Sequence, residues 1–254
     1  MSTRYFVDKH SVVREIWGKS DTILFIFAGA AAEFALNKAV DWLYFTGRLP
    51  AAPIDRLFST VSYARTIVFS EEHVTVRAIE SMNAIHAQVE AKRGLSIPDW
   101  AYRDVLFMLV DYSIRSFEAL ERKMTLKEKE EVFRVFTRVG SLMKIRGLPE
   151  SFTAWEIMRR DHLSEHLSRS NFTNDLFRQY RKHLGFLRYQ ILLETQSLVA
   201  PPVVRKLLGL RSFSIISPVI AAYKLSKRIC IDRHIRSLVM PSRYRGAILS
   251  LDRA

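Results

Sequence analysis

The chain is 254 residues long, 48% apolar and 26% charged, which suits one large domain with a buried core and argues against general disorder. One cysteine, Cys230, excludes an internal disulfide and cysteine-rich zinc or iron–sulfur centres. The net charge of +13 is concentrated at one end: residues 1–177 hold 24 Lys/Arg against 23 Asp/Glu (net +1), and residues 178–254 hold 15 against 3 (net +12).

In chain order, "MSTRYFVDKHSVVREIW" lacks the apolar core of a secretory signal, so a cytoplasmic protein, peripheral at a membrane if it touches one, is the expectation. Helical periodicity then runs over 12–46. Its most apolar stretch, "TILFIFAGAAAEFAL" (22–36), is too short to span a bilayer and is interrupted by Glu33, so it reads as a buried helix. Further helices are expected over 54–69, 71–93, 98–123, 125–145, 151–168 and 171–198, with Gly/Pro breaks such as "GRLPAAP", "RGLSIPD", "RGLPES" and "APP" between them. Asp99 after Pro98 opens one helix, and Thr125 with Glu128 three residues on predicts a capping box for the next. Strand alternation is nowhere sustained, and Asn-Gly or Asp-Gly hairpin turns are absent. A second apolar run, "SFSIISPVIAAYKL" (212–225), lies within the basic third, a pairing that suits an anionic membrane surface. The expected architecture is all-α: a single multi-helix globular domain over 1–210 and a basic helical extension over 211–254, packed on the domain or on a membrane.

Two segments place polar side chains on apolar faces. Over 71–93, Thr75, Ile79, Met82, His86 and Val89 share one face at three- and four-residue spacing. A buried imidazole needs partners for both nitrogens, because an unsatisfied buried polar group costs about 1–3 kcal/mol. His86 is therefore either a histidine satisfied by core hydrogen bonds or a ligand to a metal or haem iron. Over 54–69, Arg56, Thr60, Tyr63 and Ile67 share a face. Arg56 either pairs locally near the helix start or stands with Thr60 as a cation beside a hydroxyl, a pair suited to an oxygen ligand or anion in an apolar pocket.

A third motif is "HLSEH" (162–166), which matches H-x-x-E-H. His162 and His166, one turn apart, can chelate a metal, and Glu165 could then activate water in a metal-dependent hydrolase. The surrounding "RRDHLSEHLSR" reads instead as a charged, solvated helix face. Other chemistries have no footing: there is no Gly-rich phosphate loop, no G-x-S-x-G elbow and no C-x-x-C-H haem attachment. Nucleic acid is not expected as a partner, since the basic tail lacks interleaved aromatics and any reader motif.

Taken in order, four stretches resemble the oxygenase family that includes the bacterial latex-clearing proteins (rubber oxygenases) and the endoplasmic-reticulum-bound MpaB oxygenase of fungal mycophenolic acid synthesis. They are "VREIWGKSDTILFIFAGAAAEFAL", "DRLFSTVSYARTIVFS" with its R-x-x-x-T segment, "MNAIHAQV" with its I-H-x-x-V pattern, and "SFEALERKMTLKEKEEVFRVFTRVGSLMKIRGLPES". The resemblance covers roughly 10–210. It implies an all-helical fold enclosing a non-covalent haem b, with His86 as proximal iron ligand, Arg56 and Thr60 on the distal side as catalytic groups, and Tyr63 and Met82 lining the pocket. It also implies O2-dependent oxidation or oxidative C=C cleavage of an apolar, isoprenoid or lipid-like substrate. Two departures stand out: "ALNKAV", with Asn37 and Lys38, stands where many relatives have Ala-His-Pro, and Ser59 stands where the rubber-cleaving branch has a lysine. Glu33 and Asp41 lie near the place of that branch's acidic base. A helical lipid- or membrane-surface-binding protein without catalysis is the competing class.

Overall fold

The computed structural model describes residues 4–47, 53–214, 217–218 and 220, with the side chains of 43 and 53–59 outside the described set. Among the described residues the ordered backbone is helical, with two isolated bridges, Tyr5 to Glu71 and Asn37 to Leu167. The helices are α1 (Val12–Trp17), α2 (Ser20–Phe34), α3 (Val40–Phe45), α4 (Pro53–Phe69), α5 (Glu72–Arg93), α6 (Asp99–Leu120), α7 (Leu126–Leu142), α8 (Phe152–Glu165), α9 (Asn171–Val199) and α10 (Pro202–Leu208).

The continuous periodicity of 12–46 does not yield one helix. Ser11 caps α1 by accepting from the Val13 amide, and Gly18 closes it after six residues. Between α2 and α3 the Asn37 side chain accepts from the Ala39 amide at 2.8 Å and donates to Asp104 at 2.7 Å. A side chain that bonds its own neighbouring backbone competes with the helix ladder, and here it turns the chain. The capping box expected at Thr125 is present: its hydroxyl accepts from the Glu128 amide while the Glu128 carboxylate accepts from the Thr125 amide.

α6 is the central helix. It packs against α2, α7, α8 and α9 and buries residues on nearly all sides, from Ala101 to Leu120. Around it Trp17, Ile26, Phe27, Phe107, Phe117, Phe136 and Trp155 form the main core. The expected buried helix over 22–36 is α2, with Ile23, Ile26, Phe27, Ala28 and Ala32 inside. α9 bends at Gly185, whose φ of 72° and ψ of 173° lie outside the helical region, a conformation that glycine adopts without steric cost. α10, which follows the "APP" break, has Pro202 at its first position and ends at Gly209. No helix among the described residues is long and apolar enough to cross a membrane. Most of the expected extension over 211–254 lies outside the described residues.

Candidate functional site

α4 and α5 are consecutive helices packed on each other, and the Thr75 hydroxyl on α5 donates to the Ile67 carbonyl on α4 at 3.3 Å. The α4 face expected from the sequence grades from half-buried Thr60 and Tyr63 to buried Ile67. The Arg56 side chain lies outside the described residues. On α5, Thr75 and Ile79 are buried and Met82 packs half-buried against the main core. His86, one turn further, is half-buried, with its ring edge-on to Tyr102 of α6 at 5.2 Å between centroids. Burial, with Glu90 beside it, pushes the Tyr102 phenol above its ordinary value, so the ring against His86 stays neutral. The α5 face thus passes from core to partial exposure at His86.

A second cluster was only half visible in the sequence. His162 on the last turn of α8 and His166 at its C-cap both direct Nδ1 at the carboxylate of Asp104 on α6. His162 Nδ1 meets Oδ1 in a short hydrogen bond, and His166 Nδ1 lies 3.0 Å from Oδ2. Asn37 donates to that same Oδ2 at 2.7 Å. The three side chains are 3%, 8% and 16% exposed for Asp104, His162 and His166. The Trp100 ring lies 4.5 Å from His166 and the Phe107 ring 5.1 Å from His162. Two imidazole nitrogens and one carboxylate oxygen, all within 4.8 Å of one another, form a donor set able to hold a metal ion.

The reading of "RRDHLSEHLSR" as a solvated face is corrected for part of that segment. Arg160, Asp161, Ser164 and Glu165 are exposed, whereas Arg159 and His162 are buried. Phe152, Trp155, Arg159 and His162 form one inward stripe, and helical periodicity carries polar residues inward when partners await them. Glu165 therefore points away from the cluster's buried side. The missing ligand, Asp104, had one signal in the sequence. Asp104 and Asp111 stand two turns apart within an otherwise apolar stretch, and both are buried.

The two carboxylates near the place of an acidic base are both engaged. Glu33 takes a bidentate pair from Arg159, both contacts at 2.6 Å, and accepts from the Tyr112 hydroxyl at 3.0 Å. Asp41 pairs with Arg93 at 2.6 Å.

Residues 17–219 match the model for "ER-bound oxygenase mpaB/B'/Rubber oxygenase, catalytic domain". The chain belongs to this family. The match covers α2 to α10 and takes in both the α4–α5 pair and the Asp104 cluster. Comparison with curated proteins gives no match. Membership of the mpaB/rubber oxygenase family supports an oxygenase-type function, with O2 and an organic substrate as reactants, and an oxygenase reaction calls for a cofactor.

Proposed function

We propose that this chain is a haem b-dependent oxygenase acting on an apolar, isoprenoid or lipid-like substrate at an anionic membrane surface. The observation that carries the reading is His86, a half-buried imidazole on α5 within a chain that matches the oxygenase family over 17–219. The surroundings support the reading: half-buried Met82 one turn before His86 and the Tyr102 ring at its edge make an apolar, aromatic setting that would suit an imidazole ligand to haem iron. Haem, when bound, supplies the iron for O2-dependent oxidation.

The chain's own residues do the positioning. His86 would hold the iron through one ring nitrogen. Arg56 and Thr60, one turn apart in the α4 sequence, would supply a cationic and a hydroxyl donor for an oxygen ligand. Tyr63 and Met82 would lie beside the bound group. The reading assigns 1–210 to the haem domain and 211–254 to a basic extension resting on the domain or on lipid.

The test is an ultraviolet–visible spectrum of protein produced with haem supply, wild type beside His86→Ala. A Soret band in the wild type and its loss in the variant is the expected result. A wild type that shows no Soret band even after reconstitution would falsify haem dependence. That outcome would favour the second reading, a helical lipid-surface protein, which exposed Phe186 and Leu187 on α9 support.

A further inference from the structure

We propose that Asp104, His162 and His166 form a mononuclear binding site for a divalent first-row transition-metal ion, separate from the His86 site. The two sites share α6 but not its sides. Tyr102 meets His86, while Trp100 and Asp104 meet His166. At about 100° per residue, position 102 points away from positions 100 and 104.

The first argument is electrostatic. Asp104 is a buried carboxylate whose hydrogen-bond partners among the described residues are Asn37, His162 and His166, with no Lys or Arg. A buried carboxylate is costly unless a cation accompanies it. Elsewhere in this core that need is met by a guanidinium, as at Glu33 and Asp111. At Asp104 no guanidinium is among the partners, and a metal ion bound by all three groups would supply the positive charge.

The second argument is geometric. Metal–nitrogen and metal–oxygen bonds of about 2.1 Å place neighbouring ligand atoms roughly 3.0–3.4 Å apart. The separations of His166 Nδ1 from Asp104 Oδ2 and Oδ1, 3.0 and 3.2 Å, match such a ligand set, and His162 Nδ1, which sits closer to Oδ1 in a short hydrogen bond, has to draw back as the ion enters between them.

The third argument is preorganisation. The loop after α8 is fixed by main-chain bonds on both sides of the site, Lys38 N–H to the His166 carbonyl at 3.0 Å and Ser168 N–H to the Leu36 carbonyl at 2.8 Å. Trp100 and Phe107 hold the two imidazole rings in place. Asn37 orients the carboxylate by donating to it, the role that outer-sphere groups play around ligating side chains. Two imidazoles and one carboxylate suit Fe(II), Co(II), Ni(II) or Zn(II) over Mg(II) or Ca(II), and three protein donors leave positions open for water.

The experiment uses the full chain stripped with a chelator and then titrated with Co(II), followed by visible d–d absorption, with Zn(II) calorimetry on the same preparation. Both are read in haem-free protein, so the outcome is independent of the Soret test. Binding of about one equivalent is expected, retained in His86→Ala and lost in His166→Gln. Asn37→Ala weakens it about 10- to 100-fold. Should His166→Gln fail to fold, Asn37→Ala and the wild-type stoichiometry still decide. A wild type that binds neither ion, or binding unchanged in both variants, overturns the proposal and leaves the cluster a hydrogen-bonded His–Asp–His clamp.

Discussion

Arg159 carries the only guanidinium among the buried residues of the described set, and its surroundings explain why. It donates to both Glu33 oxygens and, through Nε and Nη2, to Asp111 at 3.2 and 3.0 Å. Burial alone would push Arg159 down, but Glu33 and Asp111 more than offset it and hold the guanidinium above its ordinary range. Burial, then the Glu33 charge, keeps the Tyr112 phenol well above its usual value, so Tyr112 remains a donor to Glu33. Replacing Arg159 with Leu leaves buried Glu33 without a cation, while Asp111 keeps Arg115 at 2.6 Å, a loss of about 3–5 kcal/mol. Urea denaturation should show this as a lower midpoint with the slope little changed, and a variant within 1 kcal/mol of wild type would refute the role. At this scale sequence reading was half right. The 3.6-residue stripe through Phe152, Trp155, Arg159 and His162 was there to see, but two of its members are polar. An apolar count treats such residues as solvent-facing, whereas their partners, Glu33, Asp111 and Asp104, come from elements far away in sequence. The α5 face was legible as far as Thr75, Ile79 and Met82, because its gradient lies within a single helix, while His86 one turn further is half-buried where the face alone implied burial.

Among the elements, the α2–α6 pairing depends on Gly29. Gly29 is buried and faces Tyr112, and a methyl group at position 29 would overlap the Tyr112 ring and press on Val199 of α9. Tyr112 has little freedom to yield, since its hydroxyl is tied to Glu33 one turn further along α2. Gly29→Ala gains helix propensity of just under 1 kcal/mol, yet overpacking a closed interface costs about 1–3 kcal/mol. Net destabilisation is therefore expected, read as a fall in Tm by circular dichroism. A rise in Tm would mean that the ring can move aside and the close approach is dispensable. Helix existence was legible from α4 to α9, because apolar periodicity reports burial of a face, whereas 12–46 reads as one run and the short α10 carries no periodic signal of its own. Helix ends were legible where a cap is local, as at Thr125 and Glu128. They were not legible at Asn37, whose turn is stabilised partly from Asp104 67 residues away. Nor was the bend at Gly185 legible, since a glycine within a periodic run reads as a tolerated helical residue until its φ is seen.

For the molecule as a whole, the charge asymmetry and the bend in α9 point in the same direction. The bend exposes Phe186 (68%) and Leu187 (70%), large apolar side chains that folding alone does not explain. Arg181 and Lys182, both exposed, precede them on the same helix, within the third of the chain that carries nearly all the net positive charge. Apolar side chains set beside cations match an anionic bilayer, where the rings and methyls enter the interface and the cations remain among the head groups. Such a surface would bring the protein to a substrate dissolved in lipid. Each cation near the membrane contributes on the order of 1 kcal/mol. Removing two in Arg181→Ala/Lys182→Ala should therefore weaken binding to phosphatidylserine-containing vesicles roughly 30-fold. Phe186→Ser/Leu187→Ser should weaken it too, but with less change in salt dependence, because the lost contribution is apolar burial and is not screened by ions. Flotation of the full chain with neutral and anionic vesicles at two salt concentrations separates the two contributions. No binding to either vesicle type would remove the membrane from this picture, whereas equal binding to both would keep an apolar contact with lipid and leave the basic third to a different anionic partner.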